Sequence, residues 1–101
     1  MYKIVFTKQA LKDLANLKQS HLSAKAQSII HILRENPFQK PPNYEKLVGN
    51  LAGAYSRRIN IQHRIVYQVY EGTVSIGDVN YSGIVKIIRM WTHYDGTNGI
   101  L

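Results

Sequence analysis

The 101-residue chain contains no cysteine and only three prolines, and no apolar run in it approaches the length of a membrane span. The absence of cysteine excludes a disulfide framework, thiolate metal sites and a cysteine nucleophile, so the fold must be stabilised by its apolar core. It also fits a reducing compartment, and we expect a cytoplasmic location. The apolar run at residues 2–6 is too short for a signal peptide, so none is expected.

Acidic residues are scarce as well: 6 Asp and Glu stand against 13 Lys and Arg, which gives a formal charge of +7. Such a surplus indicates an anionic partner, which is a nucleic acid, an anionic membrane or an acidic protein. Hydrophobic residues make up 45% of the chain, too many for a disordered basic tail. At this length we expect a single domain over residues 1–101, with a flexible tail at residues 95–101.

The first half of the chain has the pattern of a strand followed by two helices. Residues 2–6 are typical of a short strand. Thr7 can cap a helix whose apolar residues recur at spacings of three and four, and a second such stripe starts at Ser20 or Ser23. This second helix must end just before Pro37, which disfavours the helical conformation in the preceding residue. We therefore predict a helical hairpin.

The second half changes to the alternating pattern of β-strands. Turn signals at Asn60, Glu71–Gly72 and Ser82–Gly83 separate four segments rich in Val, Ile, Tyr and Trp. The predicted strands are residues 54–59, 63–70, 73–79 and 84–93. Together with the first half, they predict an α+β domain in which the helices pack on one face of a twisted, mainly antiparallel sheet. The other face is then free to carry a site.

Ionisable and aromatic residues are concentrated in two places in this second half. The first set is Tyr44, Glu45, Lys46, Arg57, Arg58, His63, Arg64 and Tyr67, and the second is Arg89, Trp91, His93 and Tyr94. A phosphate-directed site needs such a mixture, because arginine binds the phosphodiester, a carboxylate or imidazole moves protons, and aromatic rings stack on bases. Taken singly, each residue is also a plausible surface or packing residue. The four histidines show no metal-binding spacing.

Read together, these residues resemble the YoeB/Txe family of bacterial toxins, which belongs to the RelE-like superfamily. The shared features are an E-x-L segment, a small-residue turn with glycine, an aromatic residue followed by Ser-Arg-Arg-Ile, a His-Arg-Ile-Val-Tyr strand and a terminal His-Tyr pair. In this chain they fall at Glu45, residues 52–54, residues 55–59, residues 63–67 and residues 93–94. Their order and spacing match the family, and the resemblance covers nearly the whole chain.

The resemblance implies a microbial-RNase-like α+β fold and a toxin of a type II toxin–antitoxin system. The implied activity is a ribosome-dependent endoribonuclease that cleaves mRNA in the ribosomal A site, inhibits translation and requires no cofactor. The implied partners are the 70S ribosome, mRNA and a YefM-like antitoxin that inhibits the toxin and binds promoter DNA in complex with it. No membrane partner is implied, and many members form homodimers.

Carried over residue by residue, the resemblance assigns catalytic roles to four residues. Glu45 corresponds to the general base and His93 to the general acid. Arg64 corresponds to the arginine that binds the phosphate and stabilises the transition state. Tyr94 corresponds to the aromatic residue that shapes the site beside the scissile phosphate. This set would cleave RNA through its own 2′-hydroxyl, without a metal.

Three further basic residues are candidates for binding RNA. Arg57 and Arg58 of the Ser-Arg-Arg motif correspond to supporting phosphate-binding or core-bracing positions, and Lys46 is a third candidate for phosphate. One segment departs from the family, because residues 71–90 are longer than in its shortest members. This segment is long enough for an added strand or for an extended hairpin with its turn at Ser82–Gly83.

Two other functions stay open at this stage. A non-catalytic module that binds RNA or the ribosome, or an inactive toxin relic, would use the same basic face only for binding. A toxin directed at another target, like the gyrase-directed relatives in the wider group, would lack the acid–base set. The joint presence of Glu45 and His93 argues against this last alternative.

Overall fold

In the computed structural model, which describes residues 1–91, two helices pack on one face of a five-stranded sheet. In chain order the elements are β1 (Tyr2–Phe6), α1 (Lys8–Gln19), α2 (Ser23–Glu35), β2 (Glu45–Lys46), a 3₁₀ turn (Gly49–Leu51), β3 (Ala54–Arg58), β4 (Arg64–Ile76) and β5 (Val79–Arg89). The strand order is β1-β5-β4-β3-β2, with every pair antiparallel except β1 and β5, which are parallel. The α+β prediction is confirmed.

Local signals account for the bounds of the first three elements. The Thr7 side chain caps α1 by accepting a hydrogen bond from the backbone N–H of Ala10 at 3.0 Å. The second helix begins at Ser23, the later of the two candidate serines, although the residue before it makes no side-chain cap bond. It ends at Glu35, two residues before Pro37, as the proline requires. The predicted helical hairpin is confirmed.

Two apolar clusters lie on the two faces of the sheet. The larger one fills the space between the helices and the sheet, and its fully buried members include Ala10, Leu17, Ala26, Leu33, Ile65, Tyr67, Val85 and Ile87. The smaller one, formed by Leu47, Ala54 and Val66, is on the opposite face, since Val66 alternates with Ile65 along β4. This second face is not covered by the helices and is where the candidate site forms.

The predicted turn at Glu71–Gly72 is wrong, whereas the one at Asn60 lies between β3 and β4 as expected. Residues 63–70 and 73–79 were expected as two strands reversing at Glu71–Gly72, but the structure has one long strand, β4, over Arg64–Ile76. The pairing register with β5 shifts between Glu71 and Val74, and Gly72 has a φ of 120°. Its lack of a Cβ therefore permits an irregularity within the strand. The chain reverses farther on, at Gly77–Asp78.

The predicted turn at Ser82–Gly83 is wrong for a related reason. Both residues lie inside β5, where Gly83 pairs with Tyr2 on one side and Glu71 on the other. A Cβ at Gly83 would overlap the backbone carbonyl oxygen of Tyr70. Glycine at this position thus allows two strands to approach closely. From the sequence alone, a glycine with this role cannot be distinguished from a glycine in a turn. Of the two forms expected for this longer segment, the structure has the extended hairpin.

A buried carboxylate joins α1 to the end of β5. Asp13 is 1% exposed and accepts hydrogen bonds from Arg89 Nε at 2.9 Å, the backbone N–H of Met90 at 2.9 Å and Gln9 Nε2 at 3.1 Å. Burial by itself raises the pKa of Asp13, but these hydrogen bonds outweigh it, so the pKa lies below its usual value of 3.8. The carboxylate therefore stabilises the junction between the sheet and the C-terminal residues.

We expect Asp13→Asn to lower the free energy of unfolding by about 2 kcal/mol at pH 7, because an amide replaces a buried, charged hydrogen-bond acceptor. Since the folded-state pKa is depressed, this stabilisation is present above about pH 4 and is lost as the pH falls through the folded-state pKa. Urea unfolding of both proteins should therefore show a difference that shrinks on acidification.

The matched control for this variant is Glu35→Gln, which changes an exposed carboxylate at the end of α2. It should alter the free energy of unfolding by less than about 0.5 kcal/mol. Equal urea midpoints for wild type and Asp13→Asn at pH 7 would contradict the role given to Asp13.

Candidate active site

The candidate site lies on the sheet face opposite the helices, where β2, β3 and β4 run side by side. The strand register places Glu45 beside Ser56, and Arg58 beside Arg64. Ser56 and Arg58 are two residues apart on β3, so all four side chains are on the same face. They line a pocket of about 330 Å³, whose wall consists of Pro42, Asn43, Glu45, Ser56, Arg58 and Arg64.

An ion pair between a carboxylate and a guanidinium forms the centre of this pocket. Glu45 Oε1 lies 3.1 Å from Arg64 Nη1, and the same nitrogen donates a hydrogen bond to Ser56 Oγ at 3.1 Å. The Glu45 side chain is 56% exposed, whereas that of Arg64 is only 11% exposed. The carboxylate can therefore exchange protons with a bound molecule, while the cation is held against the wall of the pocket.

Arg57 lies in the core and not in the pocket wall, unlike its neighbour Arg58. It is fully buried, and its guanidinium donates to the Tyr67 hydroxyl at 3.0 Å, the Pro42 carbonyl at 2.6 Å and the Pro37 carbonyl at 2.8 Å. It also lies 5.0 Å from the centre of the Tyr44 ring. A guanidinium in this position is out of reach of a phosphate. Of the two roles expected for Arg57, the geometry fits the bracing one.

Tyr67 extends the brace to β4. Its hydroxyl donates to the Pro37 carbonyl at 3.1 Å while it accepts from Arg57. Burial raises the pKa of Tyr67, although the Arg57 guanidinium opposes this shift, so the hydroxyl keeps the proton that it donates. These bonds tie residues 37–42 to β3 and β4. Because that segment leads directly into β2, the brace fixes the approach of Glu45 to the sheet.

Of the two other basic candidates, Arg58 lies in the pocket wall and Lys46 does not. Arg58 is exposed and lines the pocket, so its cation is accessible to a phosphate. Lys46 pairs with Tyr55 and follows Glu45 on β2, which places it on the other sheet face and outside the pocket wall. Its expected contact with phosphate has no support in this geometry. His93 and Tyr94 lie outside the described residues.

The last described residue packs beside the pocket strands. Trp91 stacks on the ring of His63, with ring centroids 3.8 Å apart and planes inclined by 18°. Its carbonyl accepts a hydrogen bond from Arg89 Nη2 at 3.2 Å. Since His63 directly precedes Arg64, the chain reaches Trp91 close to the start of β4. His93 follows only two residues later in the sequence.

The sequence interpretation gave no role to three residues of the pocket wall. Pro42 and Asn43 come from an irregular segment, and no periodic pattern could have assigned them to a face. Ser56 could have been found, because it is two residues before Arg58 on a predicted strand and must share its face.

Within residues 1–91, no group of three or more His, Asp or Glu could hold a metal ion. No helix in the same range is long and apolar enough to cross a membrane.

The chain is similar to known bacterial toxins both in sequence and in fold. Residues 6–83 match the family described as YoeB-like toxins of bacterial type II toxin–antitoxin systems. Toxin YoeB of Escherichia coli O6:H1 is 30% identical over 81 residues, which cover 78% of this chain and 96% of the relative. A YoeB/ParE toxin from Agrobacterium tumefaciens has a TM-score of 0.72 at 28% identity, covering 91% of this chain and 99% of that one. A chain of the Staphylococcus aureus YoeB–YefM complex has a TM-score of 0.68 at 30% identity, with coverages of 93% and 99%.

The two adjacent arginines of β3 provide a matched test of the brace. We expect Arg57→Lys to lower the free energy of unfolding by about 3 kcal/mol, because an ammonium cannot reproduce the three separately directed hydrogen bonds of the guanidinium. Arg58→Lys, at an exposed position, should change it by less than about 0.5 kcal/mol. Chemical unfolding followed by circular dichroism measures both values, and similar losses for the two variants would disprove the assignment.

Proposed function

This chain belongs to the YoeB-like toxins of bacterial type II toxin–antitoxin systems, and on that premise we propose that it is an endoribonuclease that cleaves mRNA in the ribosomal A site. Glu45 and Arg64 carry this proposal, since their side chains lie 3.1 Å apart in an open pocket. RNA cleavage by the 2′-hydroxyl needs a proton acceptor and a group that stabilises negative charge on phosphorus. A carboxylate and a guanidinium supply these two functions.

The proposed reaction uses the substrate's own nucleophile. Glu45 takes the proton from the 2′-hydroxyl as its oxygen attacks phosphorus, and the bond from phosphorus to the 5′-oxygen breaks. His93 gives its proton to the departing oxygen. The products are a 2′,3′-cyclic phosphate and a 5′-hydroxyl end. Each proton transfer contributes about 10²- to 10⁴-fold to the rate when the group is well placed. No step requires a metal or an organic cofactor.

Arg64 is suited to binding the reacting phosphate. Its Nη1 is engaged by Glu45 and Ser56, but Nε and Nη2 have no hydrogen-bond partner among residues 1–91. These two nitrogens lie on one edge of the planar guanidinium and can bind two oxygens of one phosphate. Arg58 adds a second cation on the same wall. Tyr94 is proposed to shape the site beside this phosphate.

We also propose that a YefM-like antitoxin neutralises this toxin. The S. aureus relative at 30% identity is in complex with YefM. A formal charge of +7 would attract an acidic antitoxin segment and, in its absence, the RNA of the ribosome. Homodimer formation, the ribosome as the site of action and a cytoplasmic location stay predictions.

Removal of the proton acceptor tests the proposed reaction. We expect Glu45→Gln, which keeps the size of the side chain but cannot accept the proton, to reduce mRNA cleavage by at least about 100-fold. The measurement is a map of new mRNA 5′ ends after induction of each variant in bacteria. His93→Gln should have a comparable effect, whereas Glu35→Gln, at the end of α2, should cut as wild type does.

Two results would contradict the proposal in different ways. Unchanged cleavage by Glu45→Gln would disprove its assignment as the base. Growth arrest by wild type without new 5′ ends inside reading frames would instead favour a non-catalytic module that binds RNA or the ribosome. Urea unfolding of each variant shows whether a lost activity reflects a lost fold.

A further inference from the structure

Ser56 contacts the central cation of the pocket from a position that no catalytic role explains. It lies in the middle of β3, is fully buried, and pairs with Glu45 on one side and Val66 on the other. Its hydroxyl oxygen accepts a hydrogen bond from Arg64 Nη1 at 3.1 Å. We propose that Ser56 is a positioning residue that keeps the Arg64 guanidinium oriented towards the phosphate when Glu45 no longer can.

The geometry lets one nitrogen serve both acceptors. Nη1 of an arginine carries two N–H groups, and Glu45 Oε1 and Ser56 Oγ lie at the same distance from it, 3.1 Å. The two acceptors come from neighbouring strands that pair directly, so their separation is set by the backbone of the sheet. Ser56 is the rigid member of the pair because it is buried, while the Glu45 side chain is half exposed.

The two acceptors differ in what happens to them during the proposed reaction. Glu45 becomes neutral when it takes the proton of the 2′-hydroxyl, and a neutral carboxyl attracts a guanidinium much less strongly than a carboxylate does. This loss coincides with the build-up of negative charge on phosphorus. The Ser56 hydroxyl does not change its charge, so its bond to Nη1 persists. Nε and Nη2 of Arg64 then stay directed at the phosphate when their contribution is greatest.

The inference rests on the proposed function for its kinetic consequence, but its structural part can be tested without RNA. Rotation of the guanidinium about its Cζ–Nε bond is measured by NMR on ¹⁵N-arginine-labelled protein. We expect Glu45→Ala, which removes the acceptor at this position, to leave the rotation of Arg64 slow, because Ser56 still holds Nη1. In the double variant Glu45→Ala with Ser56→Ala, the guanidinium should rotate at the rate of an exposed arginine. Fast rotation in Glu45→Ala alone, or slow rotation in the double variant, would overturn the proposal.

The kinetic part uses single-turnover cleavage of ribosome-bound mRNA. We expect Ser56→Ala to lower the single-turnover rate constant about 10-fold, because it removes a hydrogen bond to a charged group. The toxin concentration that gives the half-maximal rate should change less than about 2-fold. Ser56→Cys keeps a similar volume but offers a weak acceptor, so it should resemble Ser56→Ala. Ser28→Ala, at an exposed site on α2, is the matched control.

The outcomes separate this inference from the proposed function. Wild-type rates in both Ser56 variants would overturn the positioning role. An effect confined to the half-maximal concentration would also overturn it, since that indicates direct contact of Ser56 with RNA in the ground state. Absence of cleavage by wild type would disprove the nuclease function, while the NMR result would still decide whether Ser56 orients Arg64.

Discussion

The arrangement of the pocket depends on the buried guanidinium of Arg57. Its three hydrogen bonds join the carbonyls of Pro37 and Pro42 to Tyr67, and so connect the irregular segment after α2 to the centre of the sheet. A buried cation is costly unless its donors are satisfied, so this arrangement tolerates little displacement. The strand that follows, β2, has only two residues and little pairing of its own. Glu45 therefore owes its place opposite Arg64 largely to a buried residue that lies outside the pocket wall.

The alternation of side chains along β3 separates structural from chemical roles. Arg57 points into the core and braces the fold, whereas Ser56 and Arg58 point into the pocket, one towards Arg64 and the other towards solvent. The positive charge of these strands is thus divided between the two faces. Arg57 stabilises the scaffold, and among residues 1–91 the cations of the pocket wall are Arg58 and Arg64. A count of basic residues overstates the positive charge available to a ligand in the pocket.

The sequence predicted the parts of the fold that depend on local signals. A cap at Thr7 and a stop at Pro37 act within a few residues, so the helical hairpin followed from them. The glycines of the β-half were misread: Gly72, with its positive φ, permits a register shift within β4, and Gly83 permits the close approach of two strands. Both roles depend on strand pairing, which is a non-local property. The ion pair between β2 and β4 has no periodic signal. The family resemblance indicated only that Glu45 and Arg64 belong to one site.

The central claim is that Glu45 activates the 2′-hydroxyl of RNA held by Arg64. An mRNA with a single 2′-deoxy nucleotide at a mapped cleavage position lacks that nucleophile there and is otherwise unchanged. It is translated on purified ribosomes in the presence of the toxin. The account predicts that cleavage at this position disappears, while the all-ribose message is cut to a 2′,3′-cyclic phosphate. Equal cleavage of the two messages would show that another nucleophile attacks, and would contradict the mechanism.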